Sequence, residues 1–144
     1  MKAFSDLSDA EILALTIYGE ARGEDYLGKV AVGSVILNRV DLKGWQGKTV
    51  SEVCLKPYQF SCFLKSDPNY PILLGIAQDP QGERTKNRTF QTCYEIAEGL
   101  LSGAEARATE ATSYHTASMK PFPPWAAKMT RVDKIGRHIF YREG

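Results

Sequence analysis

The sequence predicts a mainly α-helical (α+β) domain with a small β element near its C-terminus. Three observations lead to this fold class: two Ser/Thr-x-x-Glu helix-start motifs, an amphipathic pattern over residues 89–102, and a late run of aromatic and β-branched residues. With 144 residues and no repeat or linker-like tract, the chain has the size of one ordinary domain. We therefore expect residues 1–144 to form a single domain.

The first predicted helix begins with a capping box, in which Ser8 is the N-cap and Glu11 is the third helical residue. It continues through "AEILALTIYGEA", and we expect it to end near Gly23. Residues 12–17 are apolar on nearly all sides, as in a helix at the centre of a core.

The next segment, residues 27–40, is rich in β-branched residues but long for a strand, so we predict a buried helix. Thr49 and Glu52 form a second capping box, which predicts a short helix that stops before Pro57. The segment "PYQFSCF" that follows is predicted to be loop or turn.

The second half of the chain is predicted to hold two more helices and the β element. Residues 67–88 contain Asp-Pro twice and are predicted to be loop around a short helix at "ILLGIAQ". Residues 89–102 are the clearest amphipathic helix, which Gly103 ends. Its apolar stripe consists of Phe90, Cys93, Tyr94, Ala97, Leu100 and Leu101. Beyond it, "ATSYHTAS" is predicted to be extended, "KPFPPW" a turn, "WAAKM" one helical turn and "RHIFYR" a strand.

Composition narrows the function classes. The formal net charge is +1, whereas nucleic-acid binders are usually strongly basic, so we expect no nucleic-acid partner. No apolar run approaches the roughly 20 residues of a membrane span. The N-terminus "MKAFSDLSDAE" lacks the basic and apolar regions of a secretory signal, so we expect synthesis in the cytoplasm.

Three cysteines, Cys54, Cys62 and Cys93, leave at least one thiol unpaired. We favour three reduced, partly buried thiols, and the alternative is a disulfide between Cys54 and Cys62 in an oxidising space.

Glu20 is the first candidate for catalysis. It shares a helix face with Leu13 and Ile17, so its neighbours should be apolar. Burial disfavours the charged form of a carboxyl group, and a carboxyl group that keeps its proton near neutral pH can act as a general acid. The alternative is that the helix has already reached the surface, with Glu20, Arg22 and Glu24 forming a solvated charge cluster.

Glu24 follows Glu20 by four residues, so the two carboxylates would be neighbours on a continuing helix. Two nearby carboxylates are also the arrangement that glycosidases use, at separations of about 5–9.5 Å. The sequence leaves open whether Glu24 is a partner of Glu20 or a surface charge.

The sequence gives less support to a zinc site, a catalytic cysteine or a nucleotide site. His115 and His138 are the only histidines, whereas a catalytic zinc takes three protein ligands, and no H-E-x-x-H or C-x-x-C spacing occurs. A cysteine paired with either histidine remains an alternative, although "QFSCF" matches no known nucleophile motif. No Walker or Rossmann glycine pattern is present. We expect neither a metal nor a cofactor.

Several aromatic residues lie in irregular segments. Aromatic rings with polar tips suit sugar rings, although most such residues belong to cores. For Tyr114 with His115, and for Tyr58, Gln59 and Phe60, the sequence leaves both interpretations open.

Three separated blocks resemble one known family. The blocks "YGEARGED..GKVAVGSVILNRV", "TVSEVCLKPYQFSCF" and "SYHTASMKPFPPWAAKMTRVDKIGRHIFYR" are similar, in this order, to the spore cortex-lytic and cell-wall hydrolase family, which includes bacterial wall hydrolases and phage endolysins. The resemblance covers roughly residues 8–142.

The resemblance implies a lysozyme-like fold related to lytic transglycosylases, and cleavage of the peptidoglycan glycan strand between N-acetylmuramic acid and N-acetylglucosamine. The family's catalytic glutamate corresponds to Glu20. The resemblance also implies substrate-binding positions in a sugar cleft and a tyrosine block near the catalytic glutamate. These positions are Gln59, Phe60, Ser61, Tyr114 and His115. We expect Tyr114 to orient Glu20 or the intermediate by a hydrogen bond.

The implied mechanism leaves one choice open. Protonated Glu20 donates to the glycosidic oxygen, and the ionised carboxylate then takes the proton of the C6 hydroxyl, which gives a 1,6-anhydro product. If water attacks instead, the enzyme is a muramidase with Glu24 as the candidate second carboxylate. Rival interpretations are an N-acetylmuramoyl-L-alanine amidase or zinc peptidase, and a non-catalytic wall-binding module.

Two departures from the family pattern stand out. The family often has Trp where Phe63 stands, and many bacterial members carry a signal peptide and a wall-binding domain, neither of which is seen here. A bare catalytic domain is most similar to a phage endolysin. We therefore expect a monomer that acts on bacterial peptidoglycan in the cell wall after release through a holin.

Overall fold

The computed structural model describes residues 1–144, which form six α-helices followed by a three-stranded sheet. The helices are α1 Asp9–Ala21, α2 Tyr26–Leu42, α3 Val50–Leu55, α4 Asn69–Gln78, α5 Pro80–Lys86 and α6 Arg88–Ser102. The strands are β1 Ser113–Thr116, β2 Thr130–Ile135 and β3 His138–Arg142. Short 3-10 turns cover Phe4–Asp6, Ser61–Phe63 and Pro124–Lys128. No helix has the length and apolar character that a membrane span requires.

Helix α1 is the centre of the helical core, as predicted. The Ser8 hydroxyl accepts the Glu11 amide at 3.2 Å, and the Glu11 carboxylate accepts the Ser8 amide at 3.0 Å, so the predicted capping box is present. Residues 12–17 are fully buried, because α1 packs against α2, α3, α4 and α6. The helix ends at Ala21, two residues before the predicted end.

Helix α2 confirms that residues 27–40 are a buried helix and not a strand. The second capping box is only half formed. The Thr49 hydroxyl accepts the Glu52 amide at 3.1 Å, but the Glu52 carboxylate accepts from the amide of Lys48 instead of Thr49. The N-cap bond is enough to start α3 at the predicted place.

Two predictions in the second half were wrong. Residues 80–86 are helix and not loop, because Asp79 caps α5 by accepting the Gly82 amide at 3.1 Å while Pro80 occupies the first helical position. The Asp-Pro pair is therefore a helix start and not a turn. On α6, Leu101 is 40% exposed and Ile96 is fully buried, because this helix packs against both α1 and α2.

The sheet has the order β1-β3-β2, and both pairings are antiparallel. Strands β1 and β3 lie within the predicted segments. Strand β2 was not predicted, because it is a partly exposed edge strand of mixed polar and apolar residues. It turns into β3 through Gly136, whose φ of +57° suits glycine.

The two faces of the sheet have different neighbours. Tyr114 lies opposite Phe140 across β1 and β3, and Phe140 packs against Ala31 and Val35 of α2. The alternate residues Ile139 and Tyr141 pack on the other face, against the 3-10 turn at Pro124–Lys128. Tyr114 therefore faces the helices, where Glu20 lies.

Candidate active site

Glu20 and Tyr114 meet where the helices contact the sheet. Glu20 is in the last turn of α1 and is half-buried, and the Tyr114 hydroxyl donates a hydrogen bond to Glu20 Oε1 at 2.8 Å. Burial raises the pKa of Tyr114 well above its usual value, and the Glu20 carboxylate adds to this shift. The phenol therefore keeps its proton and acts as a donor. The hydrogen bond expected from the sequence is present.

Gly19 allows a second segment to approach Glu20. A Cβ atom at this position would lie 2.8 Å from both Cβ and Sγ of Cys62, and 3.0 Å from Leu73 Cδ1. Real Cβ atoms essentially never approach so closely. The glycine before Glu20 therefore lets the Ser61–Phe63 turn pack directly against α1.

The three residues of the "QFS" segment, 59–61, lie in different environments. Gln59 lines the larger cleft described below, whereas Phe60 is 3% exposed and belongs to the main hydrophobic core. Ser61 is exposed at the start of its 3-10 turn. The predicted sugar contacts at Phe60 and Ser61 stay predictions, and the structure gives Phe60 a core position.

Arg39 is a site residue that the sequence analysis did not select. It is 7% exposed, its Nε donates to the Thr112 carbonyl at 2.6 Å, and its guanidinium carbon lies 5.2 Å from the Phe60 ring centroid. Burial lowers the pKa of Arg39, while the neighbouring Tyr114 and Glu20 act in the opposite direction. Its Nη1 atom is buried without a hydrogen-bond partner. Arg39 therefore joins the Phe60 segment to the start of β1, close behind Tyr114.

Glu24 lies beyond α1, in the turn to α2, so the helical i, i+4 spacing to Glu20 does not apply. Its side chain is 7% exposed, and Oε1 accepts the Arg137 amide at 2.8 Å. The guanidinium Nε of Arg137 lies 3.3 Å from Oε2. Both carboxylate oxygens of Glu24 are thus engaged by the β2–β3 turn.

His138 connects Glu24 with Tyr114. Its Nδ1 lies 3.4 Å from Glu24 Oε1 but forms no hydrogen bond, and its ring packs edge-on to the Tyr114 ring at a centroid distance of 4.9 Å. Burial lowers the pKa of His138, and the Glu24 and Glu20 carboxylates oppose this shift. His138 therefore supports the tyrosine that contacts Glu20.

His115 lies on the other face of the sheet from Tyr114. One ring nitrogen is 2.8 Å from the Thr116 carbonyl oxygen and the other is 2.8 Å from the Tyr141 hydroxyl. The ring also packs against Phe122 and Trp125. The structure does not bring His115 together with Glu20, and its predicted substrate contact stays a prediction.

The three cysteines are free thiols, and all three are buried, not partly buried as expected. Burial raises the pKa of Cys54 and Cys93 to about 12. It also raises the pKa of Cys62, and the nearby Glu20 carboxylate adds to that shift. Buried thiols of high pKa are poor nucleophiles. No group of three or more His, Cys, Asp or Glu side chains is arranged to hold a metal ion.

Two depressions flank the pair formed by Glu20 and Tyr114. The larger is a cleft of about 650 Å³, which Tyr114, Gln59 and Arg39 line. The smaller, of about 340 Å³, exposes Glu20 and is bordered by Glu24 and His138 among others. A half-buried carboxyl group with a fixed tyrosine donor thus lies next to two openings, and such a group can serve as an acid–base catalyst for a substrate bound there.

The family of the chain follows from comparison with known proteins. Residues 23–141 match the family model described as Cell Wall Hydrolase. The chain belongs to this cell wall hydrolase family. The match begins three residues after Glu20 and does not include that residue.

Curated relatives of this cell wall hydrolase are spore cortex-lytic enzymes. The one from Bacillus cereus is 32% identical over 135 residues, which are 92% of this chain and 44% of that protein. The one from Halalkalibacterium halodurans is 45% identical over 137 residues, which are 95% of this chain and 35% of that protein. The chain therefore spans less than half the length of these curated relatives.

Two solved structures share the fold. One is the catalytic domain of the germination-specific lytic transglycosylase SleB from Bacillus anthracis, with 30% identity, a TM-score of 0.64 and 93% of each chain covered. The other is the catalytic domain of SleB from Bacillus cereus, with the same identity and TM-score. These likenesses confirm the predicted lytic-transglycosylase-like, mainly α fold.

Proposed function

We propose that this cell wall hydrolase cleaves the glycan strand of peptidoglycan between N-acetylmuramic acid and N-acetylglucosamine, with Glu20 as general acid and then general base. The observation that carries the proposal is the hydrogen bond from the Tyr114 hydroxyl to Glu20 Oε1, at the boundary between two openings. The similarity to the SleB catalytic domain supports it.

The chemistry follows from that hydrogen bond. Because Oε1 accepts from Tyr114, the proton of neutral Glu20 lies on Oε2 and is donated to the glycosidic oxygen. The bond to the muramic acid carbon breaks, and positive charge develops on that sugar. The ionised carboxylate then takes the proton from the C6 hydroxyl as the hydroxyl oxygen bonds to the same carbon. Glu20 regains its proton, and the product carries a 1,6-anhydro ring.

The contacts of the Glu24 carboxylate help to distinguish a transglycosylase mechanism from a muramidase mechanism. A general base must direct a carboxylate oxygen at the water that it activates, within hydrogen-bond reach. Both oxygens of Glu24 are instead engaged by Arg137, through its amide and its guanidinium group. This arrangement favours the transglycosylase reaction, in which one carboxyl group acts twice.

Glu20→Gln tests the proposal, because it removes the acid and keeps the shape. We expect near-complete loss of clearing of purified peptidoglycan with an unchanged melting temperature. Glu98→Gln, a half-exposed glutamate on α6, is the matched control and should keep full activity. Clearing by Glu20→Gln at the parental rate would rule out the assignment.

Mass spectrometry of the products from the unmodified enzyme separates the mechanisms. Anhydromuramic ends support the transglycosylase, and reducing muramic ends indicate a muramidase. Intact glycan strands with released peptides would indicate an amidase, and binding without any product would indicate a wall-binding module.

The place of action is a separate proposal, carried by the sequence resemblance to phage endolysins. We propose that the enzyme reaches the wall when a holin opens the membrane. Expression in a bacterial cytoplasm should cause lysis only when a holin is co-expressed. Rapid lysis without the holin would contradict this route.

A further inference from the structure

Three exposed aromatic side chains surround the larger cleft. Trp45 is 64% exposed, Tyr58 is 82% exposed and Trp125 is 36% exposed, and all three line the cleft beside Gln59 and Tyr114. Single exposed apolar residues are common on proteins, but a concentration of large aromatic rings at one cleft indicates a binding surface. Trp45 precedes α3, Tyr58 follows it and Trp125 lies in the late 3-10 turn, so the fold brings three separate segments to one place.

The backbone at Tyr58 gives a second, independent observation. Its φ is +65°, a conformation that bulky residues rarely adopt and that costs conformational energy. The ring gains little burial in return, since it is 82% exposed. The conformation presents the ring to the cleft instead of burying it, which is the pattern of strain found at functional sites.

The other two rings contact neighbouring side chains. The ammonium group of Lys56 lies 5.9 Å from the centroid of the Trp45 ring. Trp125 packs edge-on against His115 and Tyr141, at centroid distances of 5.7 and 5.4 Å. Both nitrogens of His115 have polar neighbours at 2.8 Å, so this support is itself fixed. Rings that are placed in advance lose less entropy on binding.

The chemistry of the cleft matches a chain of sugars. A pyranose has apolar C–H faces, which pack on aromatic rings, and a hydroxyl rim, which hydrogen-bonds to polar tips such as the Tyr58 hydroxyl and the indole N–H groups. Gln59 adds an amide to the same wall. Tyr114 connects this wall with Glu20.

We propose that Trp45, Tyr58 and Trp125 form a glycan-binding platform that holds sugars of the strand away from the bond next to Glu20. The proposal rests on the proposed function of the Glu20 site and deepens it. The proposal predicts a preference for polymeric glycan over short fragments, because a long strand can occupy the platform and the Glu20 site at the same time.

Binding by the inactive Glu20→Gln protein tests the platform without catalysis. Peptide-free glycan strands are titrated into the Glu20→Gln protein and into double variants that also carry Trp45→Ala or Tyr58→Gly. We expect the Kd to rise about 3- to 10-fold for each change, the range of one aromatic contact. Tyr58→Gly should also keep or raise the melting temperature, since glycine tolerates a φ of +65°. Tyr26→Ala, an exposed tyrosine outside the cleft lining, is the control.

Kinetics with Glu20 intact provides the second readout. On long strands the Trp45→Ala and Tyr58→Gly variants should show a raised KM, and the rise relative to the parent should be smaller on tetrasaccharide fragments. Unchanged binding of long strands, or equal losses on long and short substrates, would overturn the platform. Either result leaves the assignment of Glu20 standing, because that assignment is judged by the activity of Glu20→Gln alone.

Discussion

The Tyr114 hydroxyl donates a hydrogen bond to Oε1, one of the two carboxylate oxygens of Glu20. A hydrogen bond to a carboxylate contributes more than one between neutral groups, about 1.5–3 kcal/mol. This bond favours the ionised carboxylate that forms after proton donation, and it fixes the direction in which the remaining oxygen points. Tyr114 is therefore a positioning residue whose effect on the reaction passes through Glu20.

Tyr114→Phe removes the donor and keeps the ring, which retains its contacts with His138 and Phe140. We expect kcat to fall about 10- to 100-fold, the effect of losing one charge-assisted hydrogen bond. KM and the melting temperature should change little. Initial rates of wall clearing over a range of substrate concentrations give kcat and KM, and thermal melts give the melting temperature. A variant whose rate falls only as far as its folded fraction would show a purely structural role.

At the residue scale, the sequence predicted the pair formed by Glu20 and Tyr114 but not Arg39. The buried run before Glu20 and the family resemblance both directed attention to the carboxyl group. Arg39, at the end of an apolar helix, has the pattern of an ordinary polar helix end. Its burial depends on Thr112, 73 residues later, and on Phe60, and one-dimensional patterns do not contain such long-range contacts.

At the scale of elements, α1 shapes the site as well as the core. The same helix places buried residues at 12–17, the close contact at Gly19 and the carboxyl group of Glu20. The contact at Gly19 decides how closely the Ser61–Phe63 turn can approach α1.

Gly19→Ala tests this close packing. The added methyl group would overlap Cys62, and such overpacking costs about 1–3 kcal/mol, partly offset by the helix preference of alanine. We expect lower stability and slower wall clearing. The matched control is Gly75→Ala on α4, where a Cβ atom meets nothing within 4 Å and the change should stabilise by about 0.5–1 kcal/mol.

Denaturant titration gives the free energy of unfolding of both glycine variants. If Gly19→Ala proves as stable and as active as Gly75→Ala, the contact with Cys62 has no role in shaping the site.

Most elements could be predicted from local patterns, whereas α5 and β2 could not. The Ser8 capping box and the Gly103 terminus locate α1 and α6, since both depend on neighbouring residues. Helix α5 was missed because Asp-Pro serves both turns and helix starts. Strand β2 exists through its pairing with β3, and its own residues are not distinctive.

At the scale of the whole molecule, the site is formed where the helical part of the chain meets the sheet. Glu20 lies in the last turn of α1, the central helix of the main core, and Tyr114 lies on a sheet with its own smaller apolar clusters. Three contacts cross between the parts near the site: the hydrogen bond from Tyr114 to Glu20, the bond from Arg39 to Thr112, and the engagement of Glu24 by Arg137 and His138. Activity should therefore depend on conditions that weaken this junction.

Acidification is one such condition, because His138 is buried at the junction. Burial lowers the pKa of His138 in the folded protein below the 6.5 of a free histidine; Glu24 and Glu20 oppose the shift, whereas Arg137 and His115 add to it. Between these two pKa values the unfolded chain binds a proton that the folded protein does not. Stability from this group is therefore complete above about pH 6.5 and is lost as the pH falls through the folded pKa.

Thermal melts at pH 7.5 and pH 5.0 measure this effect, with His138→Gln as the variant that cannot titrate at this position. Both proteins lose stability in acid through their carboxylates, so the comparison isolates the histidine. We expect the melting temperature of the parent to fall further than that of His138→Gln over this range. Equal falls would mean that protonation of His138 does not strain the junction, and that the closeness of its Nδ1 to Glu24 compensates for burial of the charge.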